Sequence, residues 1–148
     1  MPQYTSAATV TVPIGQNVPF TETPIRCARG CVLHREGSGL ITLRGPSNGC
    51  RARYLVTFDA NIAVATGGTV GPIGVAISVD GEPLYSATAI VTPAAVGDFF
   101  NVTATAIVDV PSGCCVSVAV ENVLPPTGTA PGAAIDVANA SIVVERTA

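Results

Sequence analysis

Residues 53–66 read RYLVTFDANIAVAT. In an extended strand, successive side chains point to opposite faces. One face of this stretch carries Tyr54, Val56, Phe58, Ala60, Ile62 and Val64, and the other carries Leu55, Thr57, Asp59, Asn61, Ala63 and Ala65. The first set is wholly apolar, while the second is small and mostly uncharged. A period of two held over so long a run predicts a β-strand against a hydrophobic core.

The same period recurs on both sides of it. PIGVAISVDGEPLYSATAIV (72–91) reads as strand, Asp80-Gly81 turn and strand, because both turn positions tolerate positive φ. FFNVTATAIVDV (99–110) and CCVSVAVENV (114–123) flank Pro111-Ser112-Gly113 and predict a second hairpin. TVTVPI (9–14) places Val10, Val12 and Ile14 on one face, and AIDVANASIVVERT (134–147) is also strand-like. Helix signals are almost missing, and twelve Pro and fifteen Gly break the chain between strands. Roughly eight to ten strands spaced about 8 to 15 residues apart predict an all-β antiparallel jelly roll or sandwich. No fixed-period repeat divides the chain, so residues 1–148 form one domain, with an N-terminal strand region over 1–20. LPPTGTAPGA (124–133), with three prolines, is an exposed loop.

Only 11% of the 148 residues are charged and 48% are hydrophobic. A folded monomer of this size exposes about 7,000 Å². Its 17 charged side chains then amount to roughly one per 400 Å², well below a normal soluble surface. Part of that surface is therefore expected to be covered by copies of the same chain. A net charge of −3 leaves no basic stripe for nucleic acid, Arg44, Arg51 and Arg53 making only a patch. No apolar run reaches the length of a membrane span, and MPQYTSAATV lacks the features of a signal peptide. Synthesis in the cytoplasm is the expectation. There the five cysteines are expected as free thiols, and Asn101 and Asn139 stay unglycosylated despite their NVT and NAS contexts.

Four stretches carry possible chemistry. Cys27, Cys31 and His34, with Cys50 beyond, offer zinc-type donors, but the CxxxC spacing is not the usual CxxC knuckle. Small, partly buried thiols are the simpler reading, and no metal is expected. Cys114 and Cys115, as strand neighbours, point apart, with Cys114 expected on the core face beside Val116, Val118 and Val120. ATGGTVGPIG (65–74) is glycine-rich but leads into a strand, not the helix a phosphate loop needs. HREGSGLITLRG (34–45) sets the only histidine beside Glu36, with Asp59, Asp80 and Asp98 elsewhere as further carboxylates. No nucleophile elbow, zinc-protease motif or paired acids complete a catalytic set. The expectation is no enzyme, no catalytic residue and no cofactor. Gly37, Ser38 and Gly39 instead predict a turn into a strand at Leu40–Arg44, and His34, Arg35, Glu36 and Arg44 become candidate polar residues at an interface or its rim.

RYLVTFDANIAV, GPIGVAISVDGEPL, FNVTATAIVDVPSGCCVSVAVEN and ASIVVERT follow one another in an order that resembles the tumour-necrosis-factor-like jelly roll. That family includes complement globular domains and the C-terminal domains of Bacillus exosporium collagen-like proteins. The resemblance covers about residues 50–148, and the strand, PxG turn and strand ending in Asn122 are its most specific part. The earlier HREGSGLITLRGPSNGCRARY is similar to small structural proteins of phages of Gram-positive bacteria. These resemblances imply a homotrimer with one sheet of each subunit against a three-fold axis, and Tyr54, Phe58, Phe99 and Phe100 as candidates to fill it. They also imply a virion structural role, as a decoration or head-fibre-type trimer on the capsid surface, partnered by the major capsid protein or another virion protein. The alternative is a trimeric receptor- or glycan-binding adhesin head on a virion or spore. The chain departs from the family in having no Gly-X-Y stalk and few aromatics.

Overall fold

The computed structural model describes residues 2–27, 32–45, 51–68, 70–113, 115–123 and 134–147. Among them are eleven strands and no helix: β1 Gln3–Ser6, β2 Val10–Val12, β3 Glu22–Ile25, β4 Val32–His34, β5 Ile41–Arg44, β6 Ala52–Val64, β7 Ile73–Val79, β8 Glu82–Val91, β9 Phe100–Val110, β10 Cys115–Val123 and β11 Ile135–Arg146. They form two antiparallel sheets. The first runs β3-β1-β11-β6-β9, with β2 also on β11, and the second runs β4-β5-β10-β7-β8. The last strand thus lies in the middle of the first sheet, between β1 and β6.

Strand β6 follows the pattern that its sequence predicts. Tyr54, Val56, Phe58, Ala60, Ile62 and Val64 are all buried against the second sheet's inner residues, among them Ile41, Leu43, Val75, Ile77, Val118 and Val120. Phe20 meets Phe58 edge-on at 6.3 Å, a favourable arrangement of ring quadrupoles. Tyr54 is fully buried and donates its hydroxyl to the Arg44 carbonyl at 2.7 Å, linking β6 to the end of β5 across the sandwich. Burial pushes the Tyr54 phenol above its ordinary pKa, with Arg146 pulling the other way.

This burial corrects one expectation. Tyr54 and Phe58 belong to the subunit's own core and present nothing to a neighbour. Alternation identifies which residues share a face, but size decides which face turns inward.

The Asp80-Gly81 hairpin forms as expected, with Val79 opposite Glu82 and positive φ at Asp80 (51°) and Gly81 (86°). Asp80 also ties the turn to β10, its carboxylate accepting from the Ser117 amide at 2.9 Å. The second expected hairpin does not form. At Pro111-Ser112-Gly113 the chain crosses from one sheet to the other, β9 pairing with β6 from Ala52↔Val110 to Ile62↔Phe100. β10 is taken on both sides by β5 and β7. Val102, Val108 and Val110 therefore share one core with Val116, Val118 and Val120 but belong to the other sheet. Ile14 is a further departure, lying beyond the end of β2 and exposed, while Val12 is buried. Cys114 lies outside the described residues, as do Cys31, Cys50 and the 124–133 loop.

Candidate functional site

Two surfaces carry functional potential: the outer face of the first sheet, and a cleft where the edges of the two sheets meet.

The outer face follows from register. Across β9, β6 and β11 run the rows Ile107–Leu55–Glu145, Thr105–Thr57–Val143 and Thr103–Asp59–Ser141, followed by Asn101–Asn61 across β9 and β6. Ile107 is 68% exposed, the most exposed of the large hydrophobic side chains. Next to it the face becomes polar and self-satisfied. Asn101 donates to Asp59 at 2.9 Å and to Asn61 at 3.2 Å. Thr103 donates to Asp59 at 3.2 Å, and Asn61 donates to Asn139 at 3.2 Å. Asn139 has positive φ (55°) where the β11 register shifts, which brings its side chain into this ladder. At the other end Asp109 pairs with Arg51 at 2.6 Å and lies 3.9 Å from Arg53. These are exposed pairs of small energetic value. Phe99 and Phe100, at the start of β9, are 46% and 44% exposed beside Val96. Of the four aromatics singled out for an interface, these two are the ones the fold leaves accessible.

The cleft lies between the edge strands β3 and β4 and has a volume of about 480 Å³. Tyr4, Thr23, Arg26, His34, Arg35 and Glu36 line it, with Val32 and Leu33 as an apolar wall. On the opposite side of the sandwich, β9 packs against β8 and β7. His34 sits at the end of β4, half-buried in the cleft wall. The ring lies 4.4 Å from that of Tyr4 and 6.3 Å from that of Phe20, and its Nε2 donates to the Ser38 carbonyl at 2.8 Å. The same carbonyl accepts from the Phe20 amide, and the Gly37 amide donates to the Phe20 carbonyl. HREGSG is thus a turn stitched to the neighbouring segment, with positive φ at Gly37 (89°). Arg35, Glu36 and Arg44 are exposed and have no ion pair among the described residues.

His34 has no carboxylate partner among the described residues, since Asp59 and Asp80 are engaged elsewhere as above. Cys27 is disulfide-bonded, which corrects the expectation of free thiols throughout and withdraws one thiolate from a Cys27–Cys31–His34–Cys50 metal set. Cys115 is a free, exposed thiol. No group of three or more His, Cys, Asp or Glu able to hold a metal occurs among the described residues. Within them, no helix is long and apolar enough to cross a membrane.

Sequence reasoning missed Tyr4, Thr23 and Arg26, which join His34 only through tertiary structure. It also missed Asn122, a buried side chain whose amide donates to the Val12 carbonyl at 2.9 Å and ties β10 to β2. Elsewhere Glu121 has its carboxyl held above the usual range, by burial first and by nearby Glu82 second.

No known protein-family profile matches the chain, and no curated protein is significantly similar to it in sequence. In three dimensions it is similar to the globular domain of zebrafish complement 1qA protein, at 14% identity and a TM-score of 0.63, covering 97% of this chain and 92% of that one. A looser superposition, at 16% identity and a TM-score of 0.40, covers 95% of this chain and 79% of the EclA C-terminal domain, a sugar-binding protein. Neither is a phage or exosporium protein, so those resemblances rest on the sequence alone. The chain has a complement-type, tumour-necrosis-factor-like β-sandwich fold.

Proposed function

We propose that this chain is a non-catalytic assembly module, a homotrimer whose subunits meet through the outer face of the β3-β1-β11-β6-β9 sheet. The observation that carries the reading is Ile107. A large aliphatic side chain 68% exposed in mid-strand stands opposite Leu55 and one row from Val143, so the three form an apolar patch on this face. Around it the outward residues are mostly threonine, serine, asparagine and valine; Glu145 stands across Leu55 in the same row, and Asp59 in mid-face is already bonded within the subunit. Phe99 and Phe100 are exposed at one end of β9, Phe100 opposite the inward-facing Ile62.

The likeness of HREGSGLITLRGPSNGCRARY to phage structural proteins supports a place for the trimer on a capsid exterior, as a decoration protein or head fibre bound to the major capsid protein or another virion protein. A disulfide at Cys27 suits a protein that ends in an oxidising exterior. The second reading, a receptor- or glycan-binding head, is favoured by the arginine-lined cleft between β3 and β4.

Size-exclusion chromatography with light scattering tests the core of the proposal. The expected mass is three times the 14.9 kDa subunit. A single subunit persisting at high protein concentration overturns it. Cryo-electron microscopy of particles then separates the two readings: copies across the capsid lattice support decoration, whereas a few copies at a tail tip support recognition.

A further inference from the structure

We propose that the cleft between β3 and β4 binds a small polyhydroxylated carboxylate, an acidic sugar of the uronic-acid type. Arg26 and Arg35 line the cleft with no acidic partner within ion-pair distance among the described residues. Two guanidinium-bearing residues lining one concave space, in no ion pair among the described residues, suit a planar carboxylate, which accepts two parallel N–H bonds from each fork. All seven basic side chains of the chain are arginines, so the fork geometry is present wherever there is positive charge.

Charge sets the class of anion. Among the described residues, two arginines against Glu36 leave the cleft lining one net positive charge. A singly charged carboxylate balances that, whereas a dianionic phosphate is left half-neutralised and faces Glu36.

The remaining walls call for a ligand with a body and with hydroxyl groups. About 480 Å³ is far more room than a bare carboxylate fills. Tyr4 is only 2% exposed yet lines the cleft, and its hydroxyl has no hydrogen-bond partner among the described residues. Burial raises its pKa, so it remains a proton donor at neutral pH. Beside it the Nδ1 of His34 is buried without a hydrogen-bond partner among the described residues, a group that a ligand hydroxyl completes. Thr23 adds a second hydroxyl, and Val32 and Leu33 offer an apolar flank for the carbon face of a sugar ring.

The site is built in advance. The His34 ring packs against Tyr4, and its bond to the Ser38 carbonyl fixes the turn that carries Arg35 and Glu36. The disulfide at Cys27 fastens the chain next to Arg26. Side chains already held in place lose less freedom when a ligand arrives.

The test is a titration of the full chain, followed by amide NMR shifts, with sodium glucuronate, glucose and inorganic phosphate as probes. Glucuronate is expected to saturate and to bind roughly ten-fold more tightly than glucose, the gain of charge-assisted bonds. Arg26→Gln and Arg35→Gln each lower that affinity by about ten-fold, Tyr4→Phe lowers it less, and Arg44→Gln, outside the cleft, leaves it unchanged. Arg26 and Arg35 are exposed, so their variants keep the fold, as the amide spectrum checks. The proposal is overturned if glucose matches glucuronate, if phosphate binds more tightly, or if the two arginine variants bind as the parent does. None of these outcomes depends on the trimer, which the mass measurement judges separately.

Discussion

Replacing Ile107 with aspartate separates the stability of the subunit from that of the assembly. In the subunit Ile107 is 68% exposed, so its replacement removes little core packing. The expected cost to folding is at most about 1 kcal/mol, from the poorer strand propensity of aspartate. In the proposed trimer the same position is covered. Full burial of an isoleucine side chain contributes about 1.5–3 kcal/mol, and the exposed two-thirds makes that roughly 1–2 kcal/mol per subunit. Three subunits lose about 3–6 kcal/mol, a factor of about 10² to 10⁴ in the association constant. The desolvation of an unpaired carboxylate adds to this loss. Light scattering across a dilution series should therefore find Ile107→Asp dissociating at concentrations where the parent stays assembled, while thermal unfolding of the separated subunit moves by only a few degrees. Tyr85→Asp is the matched control, since Tyr85 is 65% exposed but lies on β8 of the other sheet. If Ile107→Asp keeps the parent mass and Tyr85→Asp loses it, the subunits meet through the opposite face and the reasoning fails.

Two further substitutions test the packing that positions these surfaces. Tyr54→Phe removes the donor to the Arg44 carbonyl, a part-buried bond, so calorimetry should register a loss of about 0.5–1.5 kcal/mol; no measurable change contradicts the assignment. Gly39→Ala places a Cβ 2.7 Å from Asn17 Cβ and 2.8 Å from the Val18 carbonyl oxygen, in the segment that bonds to β10. Urea unfolding should show it destabilised by about 1–3 kcal/mol, whereas Gly71→Ala, with open space around it, should be near neutral.

The sequence reveals the sheets better than it reveals their faces and connections. Strand β6 is legible because its side chains alternate without a break from Ala52 to Ile62, and the Asp80-Gly81 turn is legible because its two residues tolerate the φ the turn needs. The crossing at Pro111-Ser112-Gly113 is not legible. Strands with inward valines at every second position look the same whether they pair edge to edge in one sheet or face each other across a core. Long-range pairing decides, since β6 takes the edge of β9 while β5 and β7 flank β10. The cleft was hidden for a different reason. Strand β1 has only four residues and β3 contains Pro24, so neither gives a clear period, and Tyr4, Arg26 and His34 meet only once the edges of both sheets are set.

The scarcity of charge now has a location. The folded subunit exposes 7373 Å², close to the value expected of an ordinary monomer of its length, so folding alone does not hide the shortage. Several of the described charges collect at the edges of the structure: Arg51, Arg53 and Asp109 at one end of the first sheet, Arg26, Arg35 and Glu36 around the cleft, and Asp80 and Glu82 at a hairpin tip. The broad outer face between them is not simply greasy, and neutral polar side chains can hold water as well as charged ones. What distinguishes the face is that the polar groups at one end of it have already found one another. Asn101, Asn61, Asn139, Thr103 and Asp59 place their donors and acceptors within the ladder. Desolvating a polar group costs free energy in proportion to the water bonds it gives up. A self-satisfied ladder gives up fewer of them than the same residues pointing into solvent. Beside Ile107, Leu55 and Val143, which gain by leaving water, such a ladder lowers the polar penalty of covering the face with its own copy, and Glu145, across Leu55 in the Ile107 row, is the charge that a partner must still meet.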